Sequence, residues 1–135
     1  MNDRIFVVFN PHAGRGRGAQ FVAPVLEALS AGSAEVDHAL TQGPADEARL
    51  AREAIDRGFG RIVAVGGDGT ANALANGLCR IPESARPMMG IIPCGRGNDF
   101  AAILGIKSVE TGCAALLAGA RRRVDVGKTD SGFFL

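Results

Sequence analysis

Three glycine-rich segments hold the residues of this sequence that are best suited to bind a phosphate. They are Asn10-Pro11-His12-Ala13-Gly14, Gly66-Gly67-Asp68-Gly69-Thr70 and Gly95-Arg96-Gly97-Asn98-Asp99. Glycine has no Cβ, so a ligand can approach the main chain, and a helix that begins in such a loop offers unpaired N–H groups and the positive end of its dipole. This combination predicts a site for a phosphorylated ligand.

Two side chains of the second segment point to chemistry beyond anion binding. Thr70 either caps the helix that follows or donates its hydroxyl to a phosphate oxygen. Asp68 would repel a triphosphate unless a magnesium ion, a proton or a hydroxyl lies between them, so its position favours metal or acceptor chemistry. A tight turn with an Asp cap is the alternative that needs no ligand.

The first and third segments are weaker signals when each is taken alone. Each fits an ordinary turn about as well as a ligand contact. Arg96 adds a guanidinium that could hold a phosphate through two parallel hydrogen bonds. Because the second and third segments follow successive strands, together they favour one shared crevice.

The elements that must position these segments alternate between strands and helices. Short apolar runs predict strands at residues 5–9, 34–40, 61–65 and 89–93. Apolar residues three and four positions apart predict helices at residues 21–29, 45–57 (with Pro44 at its start), 70–78, a short one ending at Leu104, and 108–118. The alternation predicts a doubly wound α/β fold with a mainly parallel sheet and helices on both faces, and it places all three glycine segments at the carboxyl ends of strands.

Composition excludes several classes of protein. The 135 residues include 15 basic and 14 acidic side chains, so no overall field would attract nucleic acid. No apolar run approaches the roughly 20 residues of a membrane span. We therefore expect a cytoplasmic domain with no nucleic-acid partner and no transmembrane segment.

The cysteines and histidines do not form a recognisable metal or disulfide pattern. Cys79, Cys94 and Cys113 are odd in number and are spaced 15 and 19 positions apart, which fits neither a disulfide framework nor paired zinc ligands. His12 and His38 have no Cys, Asp or Glu at ligand spacing. We assign no metal ligands within this chain.

Read in order, the three segments together with Asn72, Asn76-Gly77-Leu78 and Phe100-Ala101 resemble the diacylglycerol kinase catalytic family, which includes bacterial lipid kinases and sphingosine kinases. The resemblance runs from about residue 4 to residue 126. It implies the fold of the N-terminal domain shared by NAD kinases and diacylglycerol kinases. It also implies ATP and Mg²⁺ as cofactors, and a diacylglycerol-like lipid at the membrane surface as the acceptor of the γ-phosphoryl group.

The same resemblance implies a set of site residues. Asp68 is the expected catalytic residue, which orients magnesium or the attacking hydroxyl. The nucleotide site is expected to comprise Asn10, Thr41, Gly66, Gly67, Asp68, Gly69, Thr70, Ala71, Asn72, Arg96 and Gly97.

Two residues depart from the family pattern. Arg96 stands where the family usually has Thr, and it either supplies a charged phosphate contact or blocks the usual nucleotide pose. Ala73 stands where the family usually has Glu, which leaves one carboxylate fewer near the site. These departures keep open a nucleotide sensor without catalysis. An NAD kinase-like enzyme is a second alternative, although residues 93–101 favour the lipid kinase.

The carboxyl-terminal residues suggest a continuation. Residues 124–126 and 133–135 predict two further strands, and the sequence ends on the apolar triplet Phe133-Phe134-Leu135. Because family members carry a second, β-rich domain, we expect one after Leu135, with the general base and further metal ligands. Alone, the chain should then bind nucleotide without phosphorylating lipid, and its apolar end could pair with a second copy to form a homo-oligomer.

Overall fold

Four parallel strands form the central sheet of the molecule. The computed structural model describes residues 3–32, 35–95 and 97–135. The strands are β1 (Ile5–Phe9), β2 (Val36–Leu40), β3 (Arg61–Gly66) and β4 (Met88–Pro93), and they lie in the order β2-β1-β3-β4. The predicted doubly wound α/β fold is confirmed.

Six helical segments connect and cover these strands. They are α1 (Ala13–Gly16), α2 (Val22–Ser30), α3 (Asp46–Asp56), α4 (Asp68–Cys79), α5 (Asp99–Ile103) and α6 (Val109–Ala118), with short 3₁₀ turns at Gly18–Phe21 and Glu83–Ala85. The helix predicted from residue 108 begins one residue later, because Ser108 is its N-cap and accepts a hydrogen bond from the Thr111 amide. In the described part of the chain no helix has the length and apolarity that a membrane crossing requires.

Strand β1 is buried on both faces of the sheet, which explains its unbroken apolar run. Side chains alternate across a strand. Ile5, Val7 and Phe9 pack with α2 and α6 on one face, whereas Phe6 and Val8 pack with α3 and α4 on the other. All five are essentially inaccessible to solvent, so the sheet is the rigid support of the loops at its carboxyl edge.

Two helix starts differ from the sequence prediction. Pro44 does not occupy the first position of α3, because Ala45 adopts a left-handed conformation (φ 64°) and the helix begins at Asp46. The Asp46 carboxylate also accepts a hydrogen bond from the Gln42 amide, which closes the preceding turn. Helix α4 begins at Asp68, so Thr70 lies inside its first turn and is not its cap.

The last strands also differ from the prediction. Residues 124–126 form no strand, and Val124 is 41% exposed. Instead β5 (Gly127–Thr129) and β6 (Gly132–Phe134) pair as an antiparallel hairpin. Among the described residues no strand pairs with residues 124–126, whereas the turn before Gly132 lets residues 127–129 pair with residues 132–134. For the strand predicted at residues 34–40, the described part is Val36–Leu40, and Ala34 lies outside the described residues.

Candidate functional site

A cleft of about 500 Å³ opens at the carboxyl ends of β1 and β3. These two strands are adjacent, and the chain turns to opposite sides of the sheet from them, which is the topological switch point where doubly wound folds bind ligands. Of the predicted site residues, the following line this cleft: Asn10, Thr41, Gly67, Gly69 and Thr70. The glycine loops and this crevice therefore coincide.

A hydrogen bond between two side chains closes the floor of the cleft. Asn10 Nδ2 donates to Thr70 Oγ1 over 3.1 Å, and Asn10 Oδ1 accepts from the His12 amide over 3.0 Å. Thr70 is 4% exposed, and a Cβ on Gly66 would lie 2.4 Å from its hydroxyl oxygen. Because the Thr70 hydroxyl accepts this bond, its own hydrogen remains available to a ligand.

Several of the glycines are required because the loops touch one another. A Cβ on Gly95 would lie 2.3 Å from Gly67 Cα, and a Cβ on Gly14 would lie 2.5 Å from the Cys94 carbonyl oxygen. By contrast, nothing lies within 4 Å of the Cβ position of Gly69. Gly14, Gly67 and Gly95 thus allow close contacts between loops, and the approach of a ligand to the glycines, including Gly69 beside open space, stays a prediction.

Asp68 points away from this cleft. Its Oδ2 accepts from the Asp99 amide and its Oδ1 from the Phe100 amide, each over 3.0 Å, so it fixes the start of α5. A Cβ on Gly97 would lie 3.1 Å from Asp68 Oδ2, which places Gly97 beside this carboxylate. Asp68 lines a second cleft of about 440 Å³, together with Asn72, Asp99, Phe100, Ile103, Phe134 and Leu135. Since Gly67 and Gly69 line the first cleft, the first turn of α4 separates the two.

The remaining predicted site residues have other positions. Asn72 Oδ1 accepts from the Leu135 amide over 2.8 Å and, one turn later, Asn76 Oδ1 accepts from the Phe133 amide over 2.8 Å, so both hold the terminal hairpin against α4. Gly66 and Ala71 are buried. Arg96 lies outside the described residues.

Glu47 is a cleft residue that the sequence reasoning missed. It lines the first cleft with Thr41 and Ala73, yet it is only 6% exposed. Burial, reinforced by the neighbouring Asp46 charge, raises the pKa of its carboxyl. The signal was present, because Glu47 occupies the same helical stripe as Leu50, Ala51 and Ala54, all of which are buried. Glu47 therefore gives the first cleft a carboxylate, whereas Ala73, which also lines this cleft, has none.

Asp68 and Asp99 are two carboxylates that lie close together in the second cleft. Both line the second cleft, and the Cβ position of Gly97 lies within 3.9 Å of oxygens from each. In the part of the chain that the structure describes, no three His, Cys, Asp or Glu side chains come close enough to form a complete metal site. Magnesium is commonly bound by one or two carboxylates with waters and substrate phosphates, so this pair fits it.

Comparisons with known proteins show the family of this chain. Residues 4–129 match the family model described as the diacylglycerol kinase catalytic domain. The chain is 36% identical over 134 residues to diacylglycerol kinase of Bacillus subtilis (98% of this chain, 44% of the relative), and 30% identical over 136 residues to that of Staphylococcus saprophyticus (100% and 44%).

A solved structure has the same fold. The crystal structure of a diacylglycerol kinase from Bacillus anthracis superimposes with a TM-score of 0.86 at 27% identity, over 98% of this chain and 48% of that one. The chain therefore spans less than half the length of these relatives. The match to the family model covers nearly the whole chain, and the chain belongs to the diacylglycerol kinase catalytic domain family.

Proposed function

We propose that this chain is the nucleotide-binding part of an ATP-dependent lipid kinase, which transfers the γ-phosphoryl group to a hydroxyl of a diacylglycerol-like lipid. The observation that carries the proposal is the switch-point cleft, whose floor joins β1 to the first turn of α4 through Asn10 and Thr70. Family membership supports the reaction type.

The first turn of α4 is suited to bind the phosphates of the nucleotide. Its N-cap is Gly67, which has no side chain to cap the first N–H groups of this 12-residue helix. These N–H groups and the Thr70 hydroxyl are donors for phosphate oxygens, and the helix dipole favours negative charge here. Phosphoryl transfer depends mainly on positioning and on charge stabilisation, which fixed donors of this kind supply.

The second cleft is suited to the acceptor side of the reaction. It combines the carboxylates Asp68 and Asp99 with apolar side chains, of which Ile103 is 68% exposed. Such a surface accommodates a lipid whose hydroxyl lies near the carboxylates and whose chains contact the apolar wall. Asp68 and Asp99 would hold Mg²⁺, which when bound neutralises phosphate charge.

The proposal also assigns roles outside this chain. We propose, as the family resemblance implies, that the general base and further metal ligands come from a β-rich domain outside these residues; the chain covers less than half the length of its relatives. The enzyme would act on the cytoplasmic side, at the surface of the membrane that contains its lipid.

Two measurements on the full-length protein test the proposal. Calorimetry with ATP and ADP should show binding, and transfer of radiolabel from γ-labelled ATP should yield a phosphorylated diacylglycerol. The same transfer assay with NAD as the acceptor tests the alternative of an NAD kinase-like enzyme. Label in NAD instead of lipid, nucleotide binding without transfer to lipid, or no binding at millimolar nucleotide would contradict the proposal.

A further inference from the structure

The buried carboxyl of Glu47 is placed as a ligand-binding group. It belongs to the first turn of α3, is more than nine-tenths buried, and lines the wall of the first cleft. Among the described residues no hydrogen bond or ion pair joins its side chain to another residue, and its carboxyl oxygens are not among the fully buried atoms left without a partner, so they are accessible from the cleft. A carboxylate offers about four acceptor positions, so most of its capacity is free.

The side chains around Glu47 do not explain its burial. The adjacent Asp46 bonds Arg49 and the Gln42 amide, and Arg49 also pairs with Glu53. Arg49 is thus engaged with carboxylates other than Glu47. A carboxyl in so enclosed a position loses most of its hydration, which opposes folding, and burial raises its pKa. A group kept at such a position needs another explanation, and the cleft beside it supplies one.

The position of Glu47 separates it from the phosphate end of the cleft. Helices α3 and α4 touch where a Cβ on Gly77 would lie 3.0 Å from Ala48, the residue after Glu47. Ala73, which shares the cleft wall with Glu47, is one turn before Gly77. Ala73 lies five residues after Asp68, the first residue of α4, which is roughly 7 Å along the helix axis. Glu47 thus lies beside the second turn of α4, and we place the uncharged half of the nucleotide there, beyond the first-turn N–H groups that face the phosphates.

We infer that Glu47 recognises the nucleoside half of the phosphoryl donor, by accepting a hydrogen bond from a ribose hydroxyl or from an amino group of the base. The inference rests on the proposed function in that the donor is a nucleoside triphosphate. It assigns to the segment between β2 and α3 a subsite formed by Thr41, Ala45, Glu47 and Ala73. The specificity of the cleft then comes from a side chain of α3, and the glycine loops supply affinity for phosphate.

Calorimetry on the full-length protein tests this assignment with ligands that lack one donor each. The ligands are ATP, 2′-deoxy-ATP, 3′-deoxy-ATP, purine riboside triphosphate without the amino group, and inorganic triphosphate. Glu47→Ala should weaken ATP binding at least tenfold and change triphosphate binding less than twofold. For one analogue, the affinity of the wild type should be as low as the affinity of Glu47→Ala for ATP. Glu47→Ala should bind that analogue and ATP with equal affinity. The analogue identifies the donor group.

Two further variants make the result interpretable. Glu53→Ala, on the exposed face of the same helix, should leave all affinities unchanged. Glu47→Gln, which keeps the size of the side chain and one acceptor oxygen, should weaken ATP binding at least threefold and serves if the alanine variant does not fold. Unchanged ATP binding in the Glu47 variants, or an equal loss for ATP and triphosphate, would overturn the inference. Failure of the wild type to bind either ligand would instead contradict the proposed function.

Discussion

Asn10 and Thr70 are 60 positions apart in the chain, yet their side chains form a 3.1 Å hydrogen bond beneath the cleft. The bond ties the end of β1 to the first turn of α4, across the two adjacent strands from which the chain turns to opposite sides of the sheet. Asn10 Oδ1 also accepts a hydrogen bond from the His12 backbone amide, so both the nitrogen and the oxygen of the Asn10 side chain are hydrogen-bonded. The floor of the cleft is thus fixed by side chains before any ligand arrives.

Thr70→Val should destabilise the protein and weaken ATP binding. Valine keeps the shape of threonine but leaves Asn10 Nδ2 without its acceptor in a part-buried position, and an unsatisfied donor of this kind costs about 1–3 kcal/mol. Urea unfolding and calorimetry measure the two effects. Thr70→Ser, which keeps the hydroxyl, should lose little of either. A valine variant as stable as the wild type would show that this bond contributes nothing.

Gly95→Ala should be strongly destabilising. The added Cβ would lie 2.3 Å from Gly67 Cα and 2.9 Å from its nitrogen, so main chain would have to move. Overpacking of this kind typically costs about 1–3 kcal/mol. The midpoint of urea unfolding reports the loss.

Gly69→Ala is the matched control for this prediction. Its Cβ position is open, and it lies within α4. Alanine is favoured over glycine in a helix by up to about 1 kcal/mol, so this variant should be as stable as the wild type or more so. Equal losses in the two variants would refute the interpretation that Gly95 is required by a contact between loops.

Local sequence patterns were sufficient to predict the sheet. The apolar run of β1 and the punctuation by glycine after β3 are local features, and they indicated both the parallel sheet and the crevice at its carboxyl edge. These motifs lie within residues 4–129, which match the family model. The local patterns could not predict which loops contact one another.

The features that sequence reasoning missed depend on contacts between distant segments. Asp68 bonds amides 31 and 32 positions away, and Gly67 meets Gly95 across two loops. Periodicity carries no information on such pairs. Glu47 was missed for a different reason, since its position on the buried stripe of α3 is a local feature of the sequence.

Asp68→Asn should lower kcat of the full-length enzyme by at least ~100-fold, the scale of losing a positioned electrostatic group. The structure adds an expected loss of stability, because asparagine can accept from only one of the Asp99 and Phe100 amides and turns an NH₂ group toward the other. That loss should be about 1–3 kcal/mol. Steady-state lipid phosphorylation and urea unfolding measure the two effects.

Two comparisons separate catalysis from structure at Asp68. Asp99→Asn removes a carboxylate from the same cleft but keeps the backbone amide that donates a hydrogen bond to Asp68. It should therefore lower activity and leave stability nearly unchanged. Asp56→Asn, at the exposed end of α3, should reduce neither. Near-normal turnover in Asp68→Asn would remove this residue from the proposed mechanism.

Glu47→Gln should raise the stability of the protein at pH 7, and the gain should shrink as the pH falls. Burial raises the pKa of Glu47 above its ordinary value of 4.5, so the folded state binds this proton more tightly than the unfolded state. Stability therefore decreases as the pH rises from the unfolded pKa through the folded one, and the deficit remains at higher pH. Glutamine carries no charge at any pH and avoids this deficit.

Urea unfolding at pH 7 and at pH 4 measures this dependence, with Glu53→Gln as the control. Glu53 is exposed and pairs with Arg49, so its replacement should give no gain at pH 7. A Glu47→Gln variant less stable than the wild type at pH 7, or a gain that is the same at both pH values, would contradict the prediction. Higher stability together with weaker ATP binding in this one variant would mean that the buried carboxyl lowers stability and is retained for its ligand, as expected of binding-site residues.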